Sequence, residues 1–91
     1  HLPRKGLLRM VKVKFFAVLK GLVGKEEVSL QIKEGMSLEQ VIEQLKKELP
    51  ALGDLMKKGG ILISVNQEVV EKHALIQDGD EIAFLPPFAG G

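Results

Sequence analysis

The chain has 91 residues, which is enough for one small domain with a single hydrophobic core. It contains no cysteine, which excludes a disulfide framework, a thiolate nucleophile and a cysteine-based zinc site. The formal net charge is +1, and three of the basic residues lie within the first nine positions. The remainder is therefore slightly acidic and is a poor candidate for binding nucleic acid. No apolar run is long enough to span a bilayer.

The first patterned segment begins at Met10. Residues 1–9 are basic and follow neither the helical nor the strand period. We expect them to be a cloning remnant or an upstream extension without ordered structure. The folded domain is predicted over residues 10–85, followed by an extended tail over residues 86–91.

Two alternating segments predict the first hairpin. Apolar residues alternate with polar or charged ones over residues 11–15 and again over residues 27–33, and glycines bound the second run. These segments should pair as antiparallel strands. Phe16 breaks the alternation by placing an aromatic ring on the lysine side, and residues 19–24 indicate a short helical turn or loop that ends at a glycine.

Residues 37–49 predict the main helix. Ser37 and Gln40 have the spacing of a capping box, and Pro50 limits the helix at its end. One amphipathic stripe, predicted to be core, comprises Leu38, Val41, Ile42, Leu45 and Leu49. Residues 52–56 suggest one further helical turn.

The second half of the sequence predicts three more strands. Residues 61–65 are apolar on both faces, which suits either a strand covered on both sides or one whose outer face meets a partner. A tight turn at Asn66-Gln67 leads to a short strand over residues 68–70. A turn at Asp78-Gly79-Asp80 precedes the last strand, over residues 82–85.

This element order predicts an α+β domain with a mixed four- to five-stranded sheet and one main helix packed across one face. The first and last strands should be parallel neighbours, with the helix in the crossover. The predicted core comprises Val13, Phe15, Leu30, Val41, Ile42, Leu45, Ile63, Ile82 and Phe84.

The tail is apolar and uncharged. It consists of Pro86, Pro87, Phe88, Ala89, Gly90 and Gly91. The prolines end the strand and stiffen the chain, whereas two glycines without side chains could pass through a narrow channel. The terminal carboxylate would then be the only chemical group, suited to activation by another enzyme's ATP. The alternative is an ordinary frayed terminus.

These elements resemble the ubiquitin-like β-grasp. Within that class the chain is similar to the sulfur-carrier group, which comprises the small subunit of molybdopterin synthase and ThiS-like proteins. The resemblance rests on residues 13–17, 22–24, 65–67 and above all 78–91, where Asp-Gly-Asp-Glu is followed by Pro-Pro and Gly-Gly. Leu85, Phe88 and Ala89 depart from the commonest pattern of the small subunit, which has Phe-Phe-Pro-Pro and then Val-Thr or Val-Ser.

The resemblance implies a substrate protein without catalytic residues of its own, acting as the sulfur-donor subunit of molybdopterin synthase. An E1-like enzyme would adenylate Gly91 with ATP, and a sulfurtransferase or cysteine desulfurase would supply sulfur for a thiocarboxylate. The tail would then enter the synthase large subunit, in an expected heterotetramer, and build the dithiolene that holds molybdenum or tungsten. The expected location is cytoplasmic, with no bound cofactor, no membrane and no nucleic acid.

A docking face is also predicted. Leu85 should point away from the core side of the last strand, beside the exit of the tail. Family members carry an apolar patch at the positions matching Val69 and Leu85, and we expect Phe16 to extend it.

Two other functions stay open: a carrier for thiamine thiazole synthesis, which the Pro-Pro tail disfavours, and a protein modifier joined to lysines through Gly91. No catalytic or metal site is predicted. Asp78, Asp80 and Glu81 resemble the start of a calcium loop, but the later ligands are missing and a turn explains them better. His73 stands alone and is interpreted as a surface residue.

Overall fold

The structure is a computed structural model, and it describes residues 8–86. Along this part of the chain no helix has the length and hydropathy needed to cross a membrane. The elements in chain order are β1 (Leu8–Phe15), α1 (Val18–Val23), β2 (Glu27–Lys33), α2 (Leu38–Glu48), α3 (Pro50–Lys58), β3 (Leu62–Val65), β4 (Glu68–Val69) and β5 (Glu81–Leu85).

The strands form one five-stranded sheet in the order β2-β1-β5-β3-β4. β1 is antiparallel to β2 and parallel to β5, while β3 is antiparallel to both β5 and β4. Within the parallel pair Val13 lies opposite Ile82 and Phe15 opposite Phe84. The predicted hairpin and the predicted parallel pairing are both confirmed.

The core lies between the helices and one face of this sheet. Every predicted core residue is buried except Ile63, which is half-buried and packs against the cluster. At its centre the rings of Phe15 and Phe84 stack with centroids 5.3 Å apart and an interplanar angle of 25°. Leu52 and Ile76, which lie in α3 and before β5, complete this core although the sequence did not predict them.

The helices follow the predicted order, with one difference in length. α2 begins with the predicted capping box, in which the Ser37 N–H donates to Gln40 Oε1 at 2.9 Å and the Gln40 N–H donates to Ser37 Oγ at 3.3 Å. α3 is a nine-residue helix rather than one turn. The prediction was too short because Pro50 ends α2 but also suits the first position of a new helix, where its missing N–H costs no hydrogen bond.

β3 has different surroundings on its two faces. Ile63 and Val65 lie opposite Phe84 and Ile82 and share the core face. Leu62 lies opposite Leu85 on the other face and is 45% exposed. Among the described residues no second layer covers this open face, so the apolar outer positions of β3 are accessible to a partner.

Replacing Ser37 with alanine should lower the free energy of unfolding by about 1 kcal/mol, because the variant loses the hydroxyl that accepts the Gln40 N–H. Urea unfolding followed by circular dichroism measures this change. Ser29→Ala, at an exposed position of β2, is the matched control and should change stability by less than about 0.5 kcal/mol. Equal losses in the two variants would contradict a capping role.

Candidate functional site

The open face of the sheet carries an apolar groove of about 350 Å³. Its apolar lining consists of Phe16, Leu62, Val69, Ala83 and Leu85. Its polar lining consists of Ser64, Gln67 and Glu81. We call this feature the open-face groove.

Small residues in the two central strands form the floor of the open-face groove. Ser64 and Ala83 lie directly opposite each other and are 7% and 8% exposed. The larger side chains around them rise above this floor, and Phe16 and Val69 are 42% and 68% exposed. An accessible concave apolar surface of this kind is a candidate for binding another protein.

The groove brings the three predicted interface residues together. Phe16 follows β1, Val69 lies in β4 and Leu85 ends β5, and all three line the same concavity. The sequence reasoning missed Leu62 and Ala83. The signal for Leu62 was present in the doubly apolar pattern of residues 61–65, but the facing strand could not be identified without the fold.

The tail begins beside the groove. Phe84 accepts a backbone hydrogen bond from the Phe16 N–H at 3.1 Å, and Leu85 lies opposite Leu62. Strand pairing therefore holds β5 on both sides almost to its end, and the buried Pro86 follows directly. The other tail residues named from the sequence, Pro87, Phe88, Ala89, Gly90 and Gly91, lie outside the described residues.

One ion pair borders the groove. Lys14 Nζ lies 3.5 Å from Glu81 Oε2, and each side chain is about one-third exposed, at 34% and 35%. An exposed pair of this kind contributes little to stability. Because Glu81 is paired with a cation of its own sheet, it does not give this edge of the groove an unbalanced negative charge.

The turn that carries Phe16 has an unusual backbone. Ala17 has φ 53° and ψ −131°, a combination that a residue with a β-carbon rarely adopts. The Leu19 N–H donates to the Phe16 carbonyl at 3.1 Å and closes this turn. Holding a non-glycine residue in such a region costs about 1–3 kcal/mol.

The acidic turn before β5 is organised by its own carboxylates. The two oxygens of the Asp80 carboxylate accept hydrogen bonds from the Asn66 side-chain amide at 2.9 Å and from the Gln77 backbone N–H at 2.7 Å. The Asn66 side-chain oxygen accepts the Glu81 backbone N–H at 3.0 Å. Asn66, held by Asp80, thus joins the turn between β3 and β4 to the first residue of β5.

Asp78 connects the same turn to β1. Its Oδ1 accepts the Met10 backbone N–H at 2.8 Å, and the Gly79 N–H donates to the Met10 carbonyl at 2.8 Å. Gly79 has φ 84°, a conformation that glycine adopts without strain. The predicted turn at Asp78-Gly79-Asp80 is confirmed, and its carboxylates fix the register at which β5 enters the sheet.

Ionisable side chains are scattered elsewhere. Within residues 8–86 no group of three or more His, Cys, Asp or Glu side chains could hold a metal ion. His73 is exposed, and its backbone N–H donates to the Glu71 carboxylate at 3.0 Å. It does not line the open-face groove.

The strand order, the helices on one face and the tail leaving the central strand define a ubiquitin-like β-grasp protein. Residues 13–91 match the ThiS family. The chain belongs to that family.

Curated relatives cover nearly the whole chain. The molybdopterin synthase sulfur carrier subunit of Haemophilus influenzae is 33% identical over 82 residues, which is 90% of this chain and 100% of the relative. The protein of the same name from Escherichia coli is 35% identical over 88 residues, again 90% of this chain and 100% of the relative.

Solved structures share the fold. Small archaeal modifier protein 1 of Methanosarcina acetivorans has a TM-score of 0.75 and 31% identity, covering 92% of this chain and 98% of its own. Small archaeal modifier protein 1 of Haloferax volcanii has a TM-score of 0.80 and 24% identity, covering 90% and 99%. One chain in the complex of subunits 1 and 2 of the molybdopterin-converting factor from Helicobacter pylori has a TM-score of 0.65 and 24% identity. The match covers 90% of this chain and 99% of that one. These likenesses confirm the predicted fold class.

Replacing Asp80 with alanine should lower the free energy of unfolding by about 2 kcal/mol, because the variant leaves the Asn66 amide and the Gln77 N–H without their charged acceptor. Thermal unfolding should show a midpoint lower by roughly 8–16 °C for a domain of this size. Asp54→Ala, at an exposed position on α3, removes the same charge and should leave the midpoint nearly unchanged. A small effect at both positions would refute the organising role of Asp80.

Proposed function

We propose that this chain is the sulfur carrier subunit of a molybdopterin synthase and that Gly91 carries the sulfur. The observation that carries the proposal is the position of the open-face groove at the root of the tail. A partner covering the groove would lie beside Pro86, and the six residues 86–91 can extend about 20 Å from there. Binding at the groove would thus set where the terminal carboxylate can reach.

The chemistry proposed for Gly91 requires activation by another protein. A carboxylate is a poor electrophile until one of its oxygens becomes a good leaving group. An E1-like enzyme supplies this by transferring AMP from ATP to the carboxylate and releasing pyrophosphate. The terminal sulfur of a persulfide on a sulfurtransferase or cysteine desulfurase then displaces AMP and forms an acyl disulfide. A second thiol, supplied by a partner or a small-molecule reductant, cleaves the S–S bond, forms a disulfide with the donor sulfur and releases the thiocarboxylate. This product is a sulfur nucleophile that needs no cysteine, and the chain has none.

The catalytic groups of each step come from partners. After His73 the sequence contains no basic residue, and Lys14, which borders the groove, is already paired with Glu81. We propose that the activating enzyme and the synthase large subunit supply these groups, and that each binds the open-face groove in turn. The carrier and the large subunit are expected to form a heterotetramer. The use of ATP favours the cytoplasm as the site of these reactions.

A second candidate function follows from the similarity to archaeal modifier proteins. A modifier would use the same adenylated glycine but would transfer it to a lysine amine instead of exchanging oxygen for sulfur. A carrier for thiamine thiazole synthesis would share the thiocarboxylate and differ in its acceptor. The product formed at Gly91 and the partner that binds the groove therefore distinguish the three functions.

Val69→Asp should weaken binding to the synthase large subunit at least tenfold, because the carboxylate would be placed in an apolar contact without a partner charge. Leu85→Asp should act in the same direction at the other side of the groove. Isothermal titration calorimetry with the purified large subunit measures both affinities.

Leu75→Asp is the matched control for Val69→Asp, since the two apolar side chains are 61% and 68% exposed but Leu75 does not line the groove. Its affinity should equal that of the unmodified chain. All variants should keep the same circular dichroism spectrum. Equal affinities for Val69→Asp and Leu75→Asp would show that the groove is not the docking site.

Adding one residue after Gly91 should abolish thiocarboxylate formation. The added residue moves the carboxylate by about 3.5 Å, and a misplacement of roughly 1 Å can already cost about a hundredfold in rate. The test incubates the chain with activating enzyme, ATP and a sulfur source and weighs the product by mass spectrometry. The unmodified chain should gain the mass difference between sulfur and oxygen.

Gly90→Val supplies an independent variant, because its side chain should block a narrow channel and restrict φ without moving the carboxylate. It should also remain unthiolated while the domain stays folded. Thiolation of the extended chain at the native rate would refute the role of Gly91. Conjugates to lysine in place of a thiocarboxylate would identify a modifier.

A further inference from the structure

The floor of the open-face groove contains a buried hydroxyl group. Ser64 is 7% exposed and is the only polar residue of the described chain that is buried. Its neighbours across the two flanking strands are Ala83 of β5 and Val69 of β4, and neither side chain has a hydrogen-bonding atom. Leu62, two residues earlier in β3, lines the groove beside it. The hydroxyl therefore lies among apolar side chains.

The Ser64 hydroxyl has no hydrogen-bond partner within residues 8–86. The nearby polar side chains bond elsewhere, since Asn66 Oδ1 accepts the Glu81 N–H and the Glu81 carboxylate pairs with Lys14. No completely enclosed side-chain oxygen or nitrogen in this part of the chain lacks a partner. The Ser64 Oγ atom is therefore reached by water through the groove, and the free protein keeps it hydrated.

Docking at the groove would remove this hydration. An apolar partner surface would leave the Ser64 hydroxyl buried without a hydrogen bond, which weakens a complex by about fivefold or more. A partner that binds tightly here must therefore offer a hydrogen-bonding group to the floor of the groove as well as apolar contacts to its walls.

The lining of the groove indicates that this group is uncharged. Glu81 is the only charged residue among the lining residues, and its carboxylate is paired with Lys14 of the same sheet. An ionised group carried to the floor would be buried without an opposite charge to balance it. The space above Ser64 and Ala83 thus fits a side chain with an apolar body and an uncharged polar end, such as a phenol or a carboxamide.

We propose that Ser64 is a specificity-determining residue of the open-face groove, and that the synthase large subunit places an uncharged hydrogen-bonding side chain against its hydroxyl. The apolar walls supply contact area, whereas the hydroxyl discriminates against surfaces that lack a hydrogen-bonding group at this point. The inference rests on the proposed docking at the groove and names the chemistry of the group that enters it.

Ser64→Ala tests the proposal through the direction of its effect. If the large subunit bonds to the hydroxyl, the variant leaves the partner's polar group unsatisfied, and affinity should fall about five- to thirtyfold. If the partner surface is apolar, the variant removes a desolvation cost, and affinity should stay the same or rise. Isothermal titration calorimetry of the full chain with the purified large subunit measures the affinity. An unchanged or higher affinity would overturn the proposal.

A second pair of variants separates the hydroxyl from the shape of the side chain. Ser64→Thr and Ser64→Val introduce side chains of the same shape, of which only the first has a hydroxyl. The threonine variant should bind about five- to thirtyfold more tightly than the valine variant. Equal measurable affinities would refute the role of the hydroxyl, and if the added methyl group blocks docking in both, the result for Ser64→Ala decides.

Ser29→Ala is the matched control. It removes the same hydroxyl from the same face of the sheet, at an exposed position of β2 that does not line the groove. Its affinity for the large subunit should equal that of the unmodified chain.

These measurements also separate the inference from the proposed docking. If Val69→Asp and Leu85→Asp leave affinity unchanged, the docking at the groove is wrong and the role of Ser64 fails with it. If those variants weaken binding but Ser64→Ala does not, the docking stands and the specificity role alone is overturned.

Discussion

The parallel pairing of β1 with β5 is the constraint on which the rest of the structure depends. Two parallel neighbours cannot be joined by a tight turn, so the intervening chain must cross over one face of the sheet. The helices make that crossing and bury the rings of Phe15 and Phe84, which stack 5.3 Å apart. The acidic turn at residues 78–80 fixes the register from the other end, since Asp78 and Gly79 both bond to Met10.

The same pairing determines where the chain leaves the sheet after β5. β5 lies in the middle of the sheet, and its end is next to the first residue after β1, Phe16. The tail therefore begins beside a face that no helix of the described chain covers. Ser64 and Ala83 keep that face concave, and the apolar side chains around them provide contact area. The domain thus presents an accessible apolar groove beside the end of β5.

Local patterns predicted most of the elements and part of the site. Alternation gave the strands, and the spacing of Ser37 and Gln40 gave the start of α2, because these signals depend only on neighbours in the chain. The length of α3 was underestimated because Pro50 is compatible with both the end of one helix and the start of another. The resemblance to sulfur carriers, rather than any local pattern, placed Val69 and Leu85 in one interface, and it did not extend to Leu62 or Ala83.

The sequence by itself determined the order of the elements and the apolar face of each, because periodicity is a property of short segments. Only the tertiary structure decided which strand faces which. The pairing of residues 62–64 with residues 83–85 brings side chains of both segments together in one groove. Within either segment alone, these are only isolated exposed or small residues. The tertiary structure also imposed the backbone of Ala17, since that conformation is held by bonds to β5 and α1 and is not one that alanine adopts by preference.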